Sequence, residues 1–257
     1  MSGAFKGEQD GVWMQEMEVH SYEVDLSKRL ALDAALKYLQ EAAWNHAEHL
    51  GVGHSHLLCR NQLWLLSRMT VMAEAYPEWG QSVLVRTWPR GAKSLWALRD
   101  FEILDLGGNR LLGATSAWLV YGLNSRRPQR VDQTVGALRT FPDRCAIQCD
   151  PDKLSESVPA GGSPLAVRYS DLDLNDHVNN TTYARWILDS YPVEYHRKHQ
   201  VRRLAINFLT ELGADDVAEL STAEVGPLCL RHTIRRRSDG AESCRAELLW
   251  QSIDPAA

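Results

Sequence analysis

The first helical pattern lies near residue 40. Its apolar residues recur three or four positions apart, at Leu36, Leu39, Ala43, Ala47 and Leu50. This spacing puts them on one face of an amphipathic helix. Asp33 is placed to cap the start of the helix, and Gly51 is placed to end it.

A second helical pattern follows residue 180. Its regular positions are Tyr183, Trp186, Ile187 and Ser190. Asn179 or Asn180 is placed to cap its start, because asparagine side chains accept hydrogen bonds from the first helical amides. Pro192 predicts that the helix is disturbed or ended there.

Runs of strand composition fill much of the remaining sequence. They cover about 62–75, 82–88, 94–105, 110–122, 202–211, 216–225, 229–237 and 242–251. Glycine-containing turns at 106–109 and 238–240 separate neighbouring runs. Turns this short join antiparallel strands, because parallel strands need a long crossover.

The same order of elements occurs in both halves of the chain. Each half has a short first strand, one buried helix and several antiparallel strands, which predicts a duplicated α+β unit. A curved antiparallel sheet wrapped around each helix would cover its apolar face. Residues 140–164 break this pattern with prolines, glycines and polar residues. We therefore predict a domain at 1–139, a linker at 140–164 and a second domain at 165–257.

Composition and charge exclude several classes of protein. The formal net charge of −5 argues against a general nucleic-acid-binding protein. No run approaches the roughly 18 consecutive apolar residues of a membrane span. Residues 1–10 lack the apolar core of a secretory signal, and their acidic residues are unlike a transit peptide. We expect a cytoplasmic protein with no membrane span and no nucleic-acid partner.

Cysteines and histidines give no convincing metal pattern. The five cysteines include no Cys-x-x-Cys pair, which predicts reduced, mostly buried thiols. Four histidines lie close together in sequence, at His46, His49, His54 and His56. No carboxylate or cysteine pattern accompanies them, so we predict no metal site here.

The segment before the second helix carries candidate catalytic groups. Asp173, Asn175 and His177 alternate, so in an extended backbone their side chains would project to one side. Asn175 and the backbone amides from His177 to Asn179 are candidate donors to a developing oxyanion, because a helix N-terminus favours negative charge. Turn and helix-cap chemistry is the alternative interpretation of these residues.

Several segments, in their order along the chain, resemble one family. They are LQEAAWNH (39–46), WG (79–80), TW (87–88), ATSAW (114–118) and YSDLDLNDHVNN (169–180). The sequence is similar to the plant and bacterial acyl-acyl-carrier-protein (acyl-ACP) thioesterases. This resemblance implies an α+β double hot dog fold, with two antiparallel sheets each wrapped around a central helix. It also implies a hydrolase of fatty acid biosynthesis that uses no cofactor, and whose first half holds the acyl chain.

The resemblance also assigns residues beyond the motif. Plant members carry a Glu-Cys pair after the second helix, and here the matching residues are Glu211 and Leu212. Leucine cannot form an acyl-enzyme, so a cysteine nucleophile at that position is excluded. Glu211 becomes the leading general base, with a pKa raised by partial desolvation, and Asp173 is the alternative base. Asn179 and Asn180 are further candidates for substrate contact.

The implied partner is acyl carrier protein with a phosphopantetheine-linked fatty acyl chain. Its acidic surface would suit the arginines at Arg235, Arg236 and Arg237. An acyl-CoA thioesterase, a non-catalytic acyl-thioester-binding protein and a hot dog dehydratase are the alternatives. A monomer and a homodimer are both compatible with the sequence.

Overall fold

The computed structural model describes residues 6–132 and 138–253. The chain divides into two compact units, Met1–Pro151 and Asp152–Ala257, here called the N-terminal and C-terminal units. None of the helices in the described part of the chain is long and apolar enough to cross a membrane.

The described part of the N-terminal unit contains one antiparallel sheet and the two helices given below. In chain order its elements are β1 Lys6–Gln9, β2 Val12–Glu18, α1 Leu32–His49, α2 His54–Leu58, β3 Gln62–Ala73, β4 Ser82–Lys93, β5 Trp96–Asp105, β6 Arg110–Gly122 and β7 Arg127–Gln129. Its strands lie in the order β1-β2-β4-β5-β6-β3, and β7 pairs with β6. The predicted strand runs of this half are all present.

The C-terminal unit repeats this plan with fewer strands. Its elements are β8 Ser163–Ala166, a 3₁₀ turn Tyr169–Asp171, α3 Asn180–Asp189, α4 Val193–Lys198, β9 His199–Phe208, β10 Val217–Gly226, β11 Cys229–Arg236 and β12 Glu242–Ser252. Its strands lie in the order β9-β12-β11-β10-β8, with antiparallel pairing throughout. Both halves therefore show the predicted α+β arrangement.

Each unit buries the apolar face of its long helix. Leu39 and Ala42 of α1 are fully buried, as are Ala184 and Ile187 of α3. Burial of a side chain the size of leucine or isoleucine stabilises the fold by about 1.5–3 kcal/mol. The apolar spacing in the sequence is thus explained by the packing of these faces.

The helix ends agree only partly with the sequence. Gly51 follows α1 with a φ of +70°, a conformation that glycine adopts without strain, as predicted. Asp33 is not the cap, because α1 begins at Leu32 after the N-cap Ala31. Asp33 lies in the first turn instead and pairs with Lys37 at 3.1 Å. Asn179 caps α3 as predicted, since its side chain accepts from the Thr181 N–H.

The segment predicted as a linker lies against both units in turn. In the N-terminal unit the Phe141 amide donates to the Pro89 carbonyl at 3.0 Å. In the C-terminal unit the Leu154 amide donates to Asn207 Oδ1 at 2.9 Å, and the Val158 amide donates to Thr233 Oγ1 at 2.8 Å. The domain boundaries at 139 and 164 stay predictions.

The cysteine side chains are less buried than the sequence predicts. All five are free, but only Cys244 is buried, and Cys59 is exposed. Residue type predicts only the average burial of cysteines. The burial of each cysteine depends on which face of its strand or helix carries it.

Candidate active site

Residues 171–179 form a tight loop before α3, rather than the extended segment that alternation predicts. Leu172 and Val178 pair as an antiparallel bridge. Within it, the Asp173 amide donates to the His177 carbonyl at 2.8 Å, and the Asp176 amide donates to the Asp173 carbonyl at 3.1 Å. Asp176 takes a φ of +63° to close the turn. The extended backbone on which a shared side-chain direction depended is therefore not formed.

The Asp173 carboxylate holds this loop together. Its Oδ1 accepts from the Asn175 amide at 2.8 Å and from the His177 amide at 3.4 Å. Aspartate side chains commonly stabilise turns by accepting backbone hydrogen bonds two residues on. Asp173 thus stabilises the turn, which was the alternative interpretation of the motif.

Asp171 fixes the loop to α3. Its side chain is 1% exposed and forms an ion pair with Arg185 on the helix. Its Oδ2 also accepts from the Arg168 amide at 2.8 Å, and its carbonyl accepts from the Asn179 amide at 2.8 Å. Sequence reasoning missed this role, because the spacing between Asp171 and Arg185 matches no helical or strand period.

Glu211 and His177 come together although they are distant in sequence. Glu211 Oε2 lies 3.5 Å from His177 Nε2. The backbone explains this approach, because His177 bridges to Gly213 and the Val178 amide donates to the Leu212 carbonyl at 2.8 Å. Leu212 itself is buried.

The expected desolvation of Glu211 is not observed. Its side chain is 55% exposed, and that of His177 is 43% exposed. Glu211 lies in the loop between β9 and β10 rather than on a strand, so water reaches its carboxylate.

Arg236 holds the loop that carries Glu211. Its guanidinium donates to the Glu211 carbonyl at 3.3 Å and to Asp239 Oδ2 at 2.8 Å. It also lies 3.9 Å from Asp216 Oδ2, which accepts from the Gly213 amide at 2.8 Å. Sequence reasoning grouped Arg236 with a partner-binding patch, and only the fold reveals this internal contact.

The basic run around Arg236 is not one surface. Arg235 is mostly buried and donates to Glu242 Oε1 at 2.9 Å and to the Val158 carbonyl at 2.6 Å. Arg237 is exposed. Neighbouring strand residues point to opposite faces, so the three arginines cannot act together as a single patch.

Most of the predicted backbone oxyanion donors are already used. The Val178 amide donates to Leu212 and the Asn179 amide donates to Asp171, both at 2.8 Å. The Thr181 amide donates to the Asn179 side chain at 2.9 Å. Among the described residues, the Asn180 amide and the Asn175 side chain remain without an acceptor. The amides of His177, Val178 and Asn179 therefore have acceptors within the fold, which leaves the Asn180 amide as the backbone donor to consider for an oxyanion.

Tyr183, on α3, packs against two other aromatic residues of the C-terminal unit. Its ring is 5.6 Å from Trp186 and 5.7 Å from Phe208, measured between centroids. Burial raises the pKa of the Tyr183 hydroxyl, so it stays protonated at neutral pH. Its hydroxyl also interacts with the backbone of Leu212, next to Glu211.

The N-terminal unit contains the same loop before α1. The Asp25 amide donates to the Arg29 carbonyl at 2.8 Å, and the Lys28 amide donates to the Asp25 carbonyl at 3.0 Å. Asp25 Oδ1 accepts from the Ser27 amide at 2.8 Å and from the Arg29 amide at 3.1 Å. Lys28, like Asp176, has positive φ. Residues 23–31 therefore correspond to 171–179.

This correspondence extends to the facing segments. The Leu30 amide donates to the Pro77 carbonyl at 2.8 Å, as Val178 does to Leu212. Tyr76, which precedes Pro77, thus takes the place of Glu211. Ser27 replaces Asn175, Arg29 replaces His177 and Ala31 replaces Asn179. At these corresponding positions, only the C-terminal unit has an asparagine, a histidine and a glutamate.

The four histidines near residue 50 are dispersed among other contacts. His46 Nε2 and His49 Nε2 lie 3.5 Å and 3.4 Å from Glu8 Oε2. His54 stacks on Trp44, and His56 lies 3.6 Å from Glu48. The described residues contain no group of three or more His, Cys, Asp or Glu side chains arranged to hold a metal ion.

Comparison with known proteins gives a consistent family. The acyl-ACP thioesterase N-terminal domain matches residues 10–138, and the acyl-ACP thioesterase C-terminal domain matches residues 159–252. A palmitoyl-acyl carrier protein thioesterase, chloroplastic, from Arabidopsis thaliana is 29% identical over 96% of this chain and 66% of its own length. The chain spans about two thirds of the length of the plant relatives that it matches.

Solved structures show the same fold over nearly the whole chain. The 12:0-ACP thioesterase from Umbellularia californica has a TM-score of 0.85 and 26% identity, covering 96% of this chain and 100% of that one. An acyl-ACP thioesterase from Bacteroides thetaiotaomicron has a TM-score of 0.84 and 24% identity, covering 94% and 98%. The predicted α+β double hot dog fold is confirmed. With both family domains matched in order, the chain belongs to the acyl-ACP thioesterase family.

Proposed function

We propose that this protein hydrolyses fatty acyl-ACP thioesters to a free fatty acid and the carrier protein. The observation that carries the proposal is the approach of Glu211 to His177, at 3.5 Å, beside the start of α3. A carboxylate, an imidazole and a free amide donor are the groups that water attack on a thioester requires. Membership of the family supports the same reaction.

In the proposed reaction Glu211 removes a proton from a water molecule. The water oxygen forms a bond to the thioester carbonyl carbon, and the carbonyl electron pair moves to its oxygen. Asn175 Nδ2 and the Asn180 amide donate to this oxyanion, which stabilises it. When the carbonyl reforms, the carbon–sulfur bond breaks and the leaving thiolate takes the proton from Glu211 through His177.

Glu211 is a better general base than Asp173 for a structural reason. Asp173 Oδ1 accepts two backbone hydrogen bonds, and Asp25 makes the same pair in a loop without the other site residues. The Asp173 contacts thus belong to the fold of the loop. Glu211 has no counterpart carboxylate in the N-terminal unit, since Tyr76 takes its place.

The N-terminal unit is proposed to hold the acyl chain, and carrier protein is proposed as the donor. Of the three arginines considered for carrier-protein binding, Arg237 is the exposed one and remains the candidate. Acyl-CoA is the alternative donor. A cytoplasmic location stays a prediction, and a monomer and a homodimer stay the two alternatives for the oligomeric state.

The direct test is product analysis with a series of acyl-ACP thioesters of increasing chain length. Free fatty acid and thiol should appear in equal amounts, and matched acyl-CoA substrates should give a lower kcat/KM. An enoyl product from hydroxyacyl-ACP would indicate a dehydratase instead. Tight binding of acyl-ACP without turnover would indicate a non-catalytic binding protein.

A further inference from the structure

A cavity in the C-terminal unit lies away from the Glu211 site. It has a volume of about 420 Å³, and its lining includes Gly162, Ser190, Tyr191, Leu220, Thr222 and Leu230. Ser190 and Tyr191 follow the C-terminal end of α3, whereas the Glu211 site lies at its N-terminal end. The 10 residues of α3 separate the two by about 15 Å of helix rise. This volume suits a small organic ligand.

Two lining hydroxyls are joined through one buried imidazole. The Tyr191 hydroxyl lies 2.8 Å from His232 Nε2, and Thr222 Oγ1 lies 2.9 Å from His232 Nδ1. His232 is fully buried, and burial lowers its pKa to about 4. The ring is therefore neutral at physiological pH and carries one N–H.

This chain of groups has more protons than it uses. The tyrosine hydroxyl, the neutral imidazole and the threonine hydroxyl each have one proton to donate, but only two hydrogen bonds join the three groups. Whichever tautomer His232 adopts, one hydroxyl proton at Tyr191 or Thr222 is left to donate elsewhere. Trp250 packs on Tyr191 at 4.8 Å between ring centroids, and its indole N–H is directed at the Tyr191 hydroxyl oxygen. The hydroxyl proton left over at Tyr191 or Thr222 can therefore be donated to a bound ligand.

The cavity also offers an acceptor and apolar contacts. Ser190 Oγ donates to the Ile187 carbonyl at 2.6 Å, so its lone pairs remain available to an N–H donor. Leu220 and Leu230 supply apolar walls. At Gly162 a Cβ would lie 1.8 Å from the Leu220 carbonyl oxygen, so this side of the cavity is bare backbone.

Charge narrows the class of ligand further. None of the described residues that line the cavity has an ionised side chain at neutral pH. The nearby C-terminal end of α3 carries partial negative charge, which disfavours a carboxylate or a phosphate. A neutral ligand that both accepts and donates a hydrogen bond fits these conditions.

We propose that this cavity binds a neutral secondary amide flanked by short apolar segments. The amide carbonyl accepts the proton left over by the Tyr191–His232–Thr222 chain, and the amide N–H donates to Ser190 Oγ. Leu220 and Leu230 contact the carbons on either side. This binding does not depend on the hydrolysis proposed above.

Calorimetric titration with pantetheine tests the proposal, because pantetheine is neutral and contains secondary amides. Pantothenate, which carries a carboxylate in place of part of that arm, is the charged comparison and should bind at least tenfold more weakly. Thr222→Val keeps the side-chain shape and removes the hydroxyl, and Tyr191→Phe does the same for the ring. Each should raise the Kd for pantetheine about tenfold, as loss of one hydrogen bond to a ligand does.

Glu211→Gln is the matched control, because it alters the hydrolytic site and leaves the cavity intact. It should leave the Kd for pantetheine unchanged while hydrolysis falls, which separates this proposal from the proposed function. Near-UV circular dichroism establishes that each variant is folded. No binding of pantetheine at millimolar concentration would overturn the proposal. Equal affinity in the wild type and the two folded hydroxyl variants would also overturn it.

Discussion

The loops at 23–31 and 171–179 have one backbone and two different sets of side chains. Asp25 and Asp173 each accept hydrogen bonds from the amides two and four residues further on. Both loops also pair with the segment that follows the next strand. They differ at the positions of Asn175 and His177, where the N-terminal loop has serine and arginine. The comparison separates what the hot dog loop needs for folding from what the proposed reaction adds.

The largest expected effect comes from Glu211→Gln, which removes the group that Tyr76 replaces in the other unit. We expect kcat for acyl-ACP hydrolysis to fall about 10³-fold, since general-base catalysis contributes roughly 10²–10⁴. Steady-state kinetics measure this, with Glu194→Gln as an exposed acid of the same unit that should leave kcat unchanged. A folded Glu211→Gln protein with near-normal kcat would rule out Glu211 as the base.

Asp171→Ala tests how each loop is fixed to its helix. It leaves Arg185 without its buried partner and should lower the free energy of unfolding by about 3 kcal/mol. The corresponding Glu23 accepts from Tyr38 at 2.6 Å, a neutral donor, so Glu23→Ala should cost less, about 1–2 kcal/mol. Urea unfolding of both variants measures the difference. Equal losses would show that the ion pair adds nothing to the C-terminal loop.

Each unit also buries one neutral histidine, which predicts acid sensitivity. Burial lowers the pKa of His46 to about 3 and that of His232 to about 4, whereas both titrate near 6.5 when unfolded. The unfolded state therefore binds more protons between these values, and stability falls as the pH drops below 6.5. At pH 5 each histidine should lower the free energy of unfolding by about 2 kcal/mol relative to pH 7.

Unfolding at pH 7 and pH 5 checks this for the two units separately. In His46→Gln and in His232→Gln the loss between the two pH values should shrink by about 2 kcal/mol relative to the wild type. An unchanged loss in either variant would show that its histidine does not contribute to the acid sensitivity.

Asp173→Asn and Asp25→Asn compare the same hydrogen bonds in the two loops. Each should lower the free energy of unfolding by about 1 kcal/mol, because a neutral amide oxygen is a weaker acceptor than a carboxylate. The loss of kcat in Asp173→Asn should be far smaller than in Glu211→Gln. If kcat instead falls as steeply while the two stabilities match, Asp173 is the base.

The smallest expected effects concern the helix caps. Ala31 and Asn179 have nearly the same backbone angles, with ψ of 145° and 139°, but only Asn179 makes a side-chain cap. Asn179→Ala should lower the free energy of unfolding by about 1 kcal/mol, and Ala31→Asn should raise it by about 0.5 kcal/mol. Thermal unfolding of both variants measures these shifts. A higher thermal stability of Asn179→Ala would mean that Asn179 is present for the active site and destabilises the helix.

Much of the site lay beyond sequence reasoning because it depends on contacts between distant segments. Periodicity located both long helices and the strands, since the pattern of apolar residues records which face is buried. It did not reveal that the amides of Val178 and Asn179 donate to Leu212 and Asp171, because hydrogen-bond partners follow from the folded loop. The roles of Asp171 and Arg236 were missed for the same reason.

The sequence by itself determined the duplicated α+β plan, the family and the residue types at the motif, because these follow from local periodicity and from a specific order of side chains. It also excluded a cysteine nucleophile at Leu212. Only the tertiary structure decided that Asp173 serves the turn, that Glu211 reaches His177 and that Arg235 and Arg236 contact other segments of their own unit. Those facts depend on which distant backbone segments pair, and local sequence patterns do not determine that pairing.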